Sequence, residues 1–229
     1  MESASLSQQV YDELHRRLRS GELRPGTQLV NRTLAAELGT STIPVREAIH
    51  RMASEGLLEL APGAGAFVRL PQPSELGDLY DVREALEALA AAQAAKYADD
   101  HLLAELQGIC ARFREIASAI GRGKHATSAQ FQKWLEAEEQ FHTRVVAAAR
   151  NRWLSKVVRD VRVISHVFAA QKSVAALLTQ TVAKQTLRQH ETFLEILARH
   201  DVDEAKRWMT EHIRSGRALV LKQVAVQQS

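Results

Sequence analysis

The sequence predicts a mainly α-helical protein in two parts: a winged helix-turn-helix (α+β) over residues 1–70 and an all-α bundle of about six helices over 75–229, joined by a linker at 71–74. Three observations predict it. The chain is 45% hydrophobic but only 5% aromatic, a balance rich in Ala, Leu and Val that suits helices. Its one strand-like stretch lies before residue 70, and every later segment carries helical periodicity. Pro71 and Pro73 in LPQPSE stand where the pattern changes, and each proline disfavours helix in the residue before it.

The elements follow in order. From Ser5 to Arg19, the residues Leu6, Val10, Leu14 and Leu18 recur at helical spacing, and Gly21 ends the run. ELRPGTQL then supplies a Pro-Gly turn. Asn31 is placed to cap a short helix that runs to Leu38 and stops at Gly39, and TSTIP leads into a second helix from about Pro44 to Glu55. Two short helices joined by a Gly-containing turn outline a helix-turn-helix. In LLELAPGAGAFVRL, two apolar runs flank Pro62, Gly63 and Gly65, which predicts a small β-hairpin. Beyond Ser74 helices are expected over about 75–98, 100–121, 128–149, 152–171, 178–199 and 202–223, with Gly121, Gly123, Asn151 and Asp201 near the breaks.

Composition narrows the function classes. No run approaches the roughly 18 apolar residues of a membrane-spanning helix, so no membrane partner is expected. The single Cys110 has no internal disulfide partner and no signal-peptide pattern opens the chain, so a cytoplasmic location is expected. The net charge of +3 identifies no partner, because the first 70 residues hold 8 basic against 8 acidic side chains and the remainder 22 against 19. Any nucleic-acid contact must therefore rest on a local patch.

The helix, helix-turn-helix and wing order places the second helix of the motif in a DNA major groove. Arg46, near the start of that helix, can bond guanine bidentately, while Arg32, Ser41 and Thr42 can reach phosphates or base edges. The small residues of APGAGA, Gly65 among them, allow the wing to approach the backbone or minor groove. The plain alternative is that Arg46 and Arg51 only solvate a helix surface. The run LAAELGTSTIPVREAIHRMASEGLLELAPGAGAFV resembles the DNA-binding domain of the GntR family of bacterial transcriptional regulators, over nearly all of residues 5–69. The resemblance implies operator contacts from Arg32 and Arg46. Thr42 stands where many members carry Arg.

A second constellation lies downstream. Trp134, Phe141, Val145 and Ala149 mark an apolar helical stripe, yet Glu138 and His142, four residues apart, fall on the same stripe. His190 lies eleven residues before Asp201 and His212 eleven after it, so a chain reversal at Asp201 brings the two imidazoles to one height. Both also sit on apolar stripes. An unpartnered buried imidazole or carboxylate costs roughly 1–3 kcal/mol, and a shared divalent cation would satisfy all four groups together. Three imidazoles and a carboxylate suit zinc, nickel, iron or manganese, with zinc the leading expectation. His15, His50, His101, His125 and His200 read as ordinary core or surface side chains, and His166 is left open.

DLYDVREALE, EEQFHTRVVAAARN and HETFLEILARHDVDEAKRWMTEHI resemble the FCD effector-binding domain of the FadR subfamily, over about residues 75–220. The resemblance implies metal ligands at Glu138, His142, His190 and His212, with Glu138 where the first ligand is ordinarily Asp. A small carboxylate effector would complete the coordination shell, and Arg83 is the candidate to pair with it; the alternative for Arg83 is a salt bridge to Glu84 or Glu87 on its own helix. The expectation is a homodimeric transcriptional regulator on a palindromic operator, a repressor by family resemblance, with effector binding coupled to DNA affinity. The competing readings are a metal-dependent enzyme that activates water and a regulator whose metal is purely structural.

Overall fold

The computed structural model describes the backbone of residues 5–69, 72–121, 124–172 and 178–226, with the side chains of 73, 163, 166–172 and 222–226 outside the description. Leu70, Pro71, Gly123 and the side chain of His166 thus lie outside the described residues. Among the described residues the chain forms nine helices and one three-stranded sheet.

The N-terminal part opens with α1 (Leu6–Arg19), whose N-cap Ser5 accepts a hydrogen bond from the Gln8 amide and whose Val10, Tyr11, Leu14 and Leu18 are buried. A two-residue strand β1 (Gln28–Leu29) follows, then α2 (Asn31–Glu37) and α3 (Thr42–Ser54). Strands β2 (Leu58–Ala61) and β3 (Gly65–Val68) form the expected hairpin, and β1 pairs antiparallel with β3 to give the order β1-β3-β2. Two residues are too few to show a period, so the strand was hidden inside a turn signal. β1 also displaces the expected cap. Val30, extended at φ −102° as the chain leaves the strand, is the N-cap of α2, and Asn31 is its first helical residue without a capping bond. The next helix begins at Thr42 rather than near Pro44. Pro44 sits in its first turn, where a missing N–H forfeits no intrahelical bond.

Helix α4 (Pro73–Tyr97) begins inside the segment read as linker, with proline at its first position. It buries Ala88, Ala90, Ala91, Ala92, Ala94 and Ala95, small side chains that let neighbouring helices approach closely. Helices α5 (Asp100–Ala119), α6 (Ser128–Ala148), α7 (Arg152–Lys172), α8 (Gln180–Ala198) and α9 (Val202–Val226) complete the all-helical part. Asp99 and Thr179 cap α5 and α8, and Thr127 with Gln130 forms a capping box on α6. Phe113, Phe141, Phe193, Leu106 and Ile120 fill the core of this bundle. Between α8 and α9 His200 takes a positive φ of 54° and its Nδ1 donates to the Ala95 carbonyl at 2.8 Å, the ordinary role expected of it.

The chain divides into two compact units, the first formed by residues up to Leu76 with Val163–Lys172, the second by Gly77–Arg162 with Ser173–Ser229. Helices α4 and α7 therefore each contribute residues to both.

Candidate functional site

Helices α6, α8 and α9 bring Glu138, His142, His190 and His212 together, with one ligand atom from each within 4.8 Å of all the others. The hairpin at Asp201 sets the His190 and His212 rings 5.0 Å apart, as the equal spacing predicts. His190 and His142 are buried, 0% and 2% exposed, and the Glu138 side chain retains 17%.

Hydrogen bonds behind the rings decide what the front nitrogens offer. Nδ1 of His190 lies 2.8 Å from the Thr186 carbonyl, which can only accept, so Nδ1 carries the proton and Nε2 presents a lone pair. That Nε2 is buried and has no hydrogen-bond partner. Nδ1 of His142 lies 2.6 Å from Oε2 of Glu87, a fully buried carboxylate that also accepts from Arg83 Nε and Arg162 Nη1, each at 2.8 Å. Burial would raise the Glu87 carboxyl, but the two guanidinium groups and His142 hold it well below the usual range, so it is ionised and fixes His142 in the same tautomer. The Nε2 atoms of His142 and His212 stand 3.2 Å apart, and Nδ1 of His212 has no hydrogen-bond partner. Oε2 of Glu138 lies 3.5 Å from His190 Nε2 and 3.7 Å from His142 Nε2.

The electrostatics agree with this donor set. Desolvation, reinforced by Arg162, pushes His142 down to about 4, and desolvation with the neighbouring His190 and His142 pushes His212 well below its ordinary value. Both imidazoles are neutral near pH 7. Burial opposes ionisation of Glu138, but attraction to His190, His212 and His142 outweighs it and holds the carboxyl at about 2. A neutral His142 with its lone pair inward, a neutral His212 and one ionised carboxylate are compatible with the protonation states that a divalent cation requires. Aromatic rings wall the cluster: Phe141 meets His190 edge-on at 4.2 Å, Phe113 stacks on it at 4.8 Å, and Trp208 stacks on His212 at 4.7 Å.

Sequence reasoning missed Glu87 as a partner of His142 and missed Arg162 altogether, since 55 and 75 residues separate Glu87 from them and no spacing rule joins distant helices. Arg83 is 6% exposed and forms the ion pair to Glu87 that was its alternative role.

The second surface lies in the N-terminal part. Arg32 and Ser41 are exposed near the starts of α2 and α3, Thr42 is half-buried, and Arg46 is exposed one turn into α3, whose other face buries Val45, Ala48, Ile49 and Met52. Arg46 lines a concave groove with Asn31, His50, Leu60, Pro62 and Gly65. Gly65 has φ +94°, and a Cβ there would stand 3.1 Å from the Leu29 carbonyl oxygen, so glycine is needed where β1 meets the wing. Ile43, not singled out from the sequence, is 61% exposed in the first turn of α3. Arg51 points elsewhere, lying 3.7 Å over the Tyr11 ring and bonding Gln8 and Glu55.

A helix-turn-helix with a wing, followed by a helical domain enclosing a donor cluster, defines a DNA-binding transcriptional regulator. Comparison with known proteins makes that particular: residues 6–68 match the bacterial regulatory proteins of the gntR family and residues 78–215 match the FCD domain, and the chain belongs to this family. It is similar to the Nta operon transcriptional regulator of Aminobacter aminovorans, 29% identical over 195 residues and 85% of each chain. It is also similar to the HTH-type transcriptional repressor RspR of Escherichia coli strain K12, 25% identical over 218 residues, 91% of this chain and 86% of that one. Among solved structures, E. coli McbR/YncC shares the fold with a TM-score of 0.81 at 22% identity, covering 97% of this chain and all of that one. The family and these relatives are regulators, not enzymes. Among the described residues no helix is long and apolar enough to cross a membrane.

Proposed function

We propose that the protein is a homodimeric, cytoplasmic repressor whose hold on a palindromic operator is set by a small carboxylate bound at a divalent cation between Glu138, His142, His190 and His212. The observation that carries this reading is the convergence of two tautomer-fixed imidazole lone pairs, a third imidazole and a carboxylate within 4.8 Å. Zinc leads the candidate ions, with nickel, iron and manganese behind it. When bound, the cation supplies positive charge and open coordination positions for an acid oxygen. The protein's own groups do the rest. Thr186 and Glu87 aim two rings inward, the aromatic wall keeps water out, and Arg83 is the candidate partner for the acid. Because Arg83 holds Glu87 through Nε in this structure, engaging an acid requires it to share or exchange that partner.

On DNA, α3 enters the major groove with Arg46 at guanine, Ile43 against a thymine methyl, and Arg32, Ser41 and Thr42 on phosphates or base edges. The wing, turned at Pro62–Ala64, approaches the flanking backbone. The acid acts on operator affinity only through a difference in its affinity for the DNA-competent and DNA-incompetent arrangements.

Metal analysis of the purified protein, combined with a thermal-shift screen of small carboxylic acids before and after chelation, tests the reading. Stoichiometric metal and an acid-induced shift that disappears on chelation are expected. Acid binding that survives complete metal removal would overturn the metal-dependent mechanism, and unfolding on chelation without any acid response would leave the metal a structural role.

A further inference from the structure

Glu87 is a buried carboxylate with three partners from three directions. Arg83 lies four residues earlier on the same helix α4, Arg162 comes from α7 and His142 from α6, at 2.8, 2.8 and 2.6 Å. Of these only His142 belongs to the donor cluster. The arginines are themselves 6% and 5% exposed, so this is a built layer behind the cluster rather than a surface ion pair.

We infer that Glu87 is the positioning residue of the metal centre: it keeps the proton on His142 Nδ1 and the ring's Nε2 directed at the cluster, while Arg83 and Arg162 hold the carboxylate in place. The inference rests on the metal reading above, and it follows from the bonding inventory. A neutral imidazole whose Nδ1 donates has its lone pair on Nε2 alone, and a carboxylate fastened from two sides cannot swing away from the ring. The other cluster histidine with a defined rear partner, His190, uses a main-chain carbonyl, which no side-chain substitution removes. Glu87 is thus the point at which a side chain outside the donor set controls a donor. It also ties that donor to α4 and α7, the two helices that contribute residues to both compact units.

Zn2+ affinity by competition with a chromophoric chelator, and the visible spectrum of the Co2+-loaded protein, should be measured on the full chain as wild type, Glu87→Gln and Glu87→Ala. Glu87→Ala is expected to lower Zn2+ affinity on the order of 10–100-fold and to change the Co2+ spectrum. Glu87→Gln, whose amide oxygen still accepts from Nδ1 but carries no charge, should recover much but not all of that loss and still shift the Co2+ spectrum, so it serves as the reading variant where Glu87→Ala fails to fold. A role through His142 also predicts non-additivity. In a His142→Ala background Glu87→Ala should change Zn2+ affinity by no more than about twofold, whereas in a His190→Ala background it should retain its full effect. Unchanged affinity and spectrum in the Glu87 variants, or equal effects in the two backgrounds, would overturn the positioning role alone. A wild type that binds neither ion would overturn the metal reading and this inference with it.

Discussion

On the proposed DNA-reading surface Arg32, Arg46 and Ile43 stand in solvent, carried by helices whose opposite faces bury Leu34, Val45, Ile49 and Met52. In the bundle the order is reversed: His142, His190, Glu87, Arg83 and Arg162 are inside, and each has at least one polar atom held by another member of the group or by the main chain. Substitution is separable from folding on the first surface and not in the second. A side chain that waits in water for its partner can be removed without leaving a hole, while a buried polar group leaves its former partner desolvated and unpaired. The two regions should therefore answer mutation, acid and chelation differently.

The largest expected effect is on metal. His190→Ala or His212→Ala removes a donor outright and should lower Zn2+ affinity by more than the roughly 100-fold upper range seen for residues behind a ligand, with operator recognition by α3 left structurally intact. Full stoichiometric metal in both variants would dissolve the donor set. Acid supplies the next test, on metal-free protein. The folded state keeps His142 neutral down to about 4, whereas the unfolded chain protonates it near 6.5, so between those values the unfolded state binds more protons. Stability from this residue is complete above about pH 6.5 and is lost as the pH falls toward 4, by roughly 3 kcal/mol at most, and His212 adds in the same direction. All three tryptophans, Trp134, Trp153 and Trp208, lie after residue 76, so denaturation followed by their fluorescence reports the bundle. A flat profile from pH 7 to 4.5 would contradict the buried, neutral state of these rings.

The same contrast governs what the sequence reveals. The DNA-reading surface is carried by short-range signals: Gly39 between two helices, Pro62 and Gly63 in a wing, Arg46 one turn into a helix. The donor set is legible for a related reason, because Glu138 and His142 share one helix face and His190 and His212 are symmetric about one turn. The meeting of Glu87 with His142 and Arg162 was illegible, since nothing in an α-helical period tells which of several buried charges on different helices will meet, whereas its pairing with Arg83 four residues earlier was open to the sequence. Gln28–Leu29 was lost at the opposite extreme, a pairing with β3 that two residues cannot announce. Ile43 carried no pattern at all; only its exposure in the first turn of α3 marks it.

On the DNA side the expected effects are smaller and leave the bundle untouched. Arg46→Ala should cost about 1–3 kcal/mol in operator binding, read by fluorescence anisotropy on a selected operator, with metal content and the acid profile unchanged. A shift in either bundle property would mean that the two regions are not separable in the way their burial suggests.

Ile43 offers the finest test, because its proposed partner is a single methyl group. Ile43→Ala should weaken binding to the selected operator by about 1 kcal/mol, the scale of one or two buried CH2 groups, and leave the protein's stability unchanged since the side chain is 61% exposed. Replacing thymines of the operator one at a time by deoxyuridine, which lacks only the C5 methyl, should reproduce part of that loss at one position in each half-site for the wild type and at none for the variant. Equal sensitivity of both proteins to every methyl would show that Ile43 does not read a base, leaving Arg46 as the base-reading side chain of this surface.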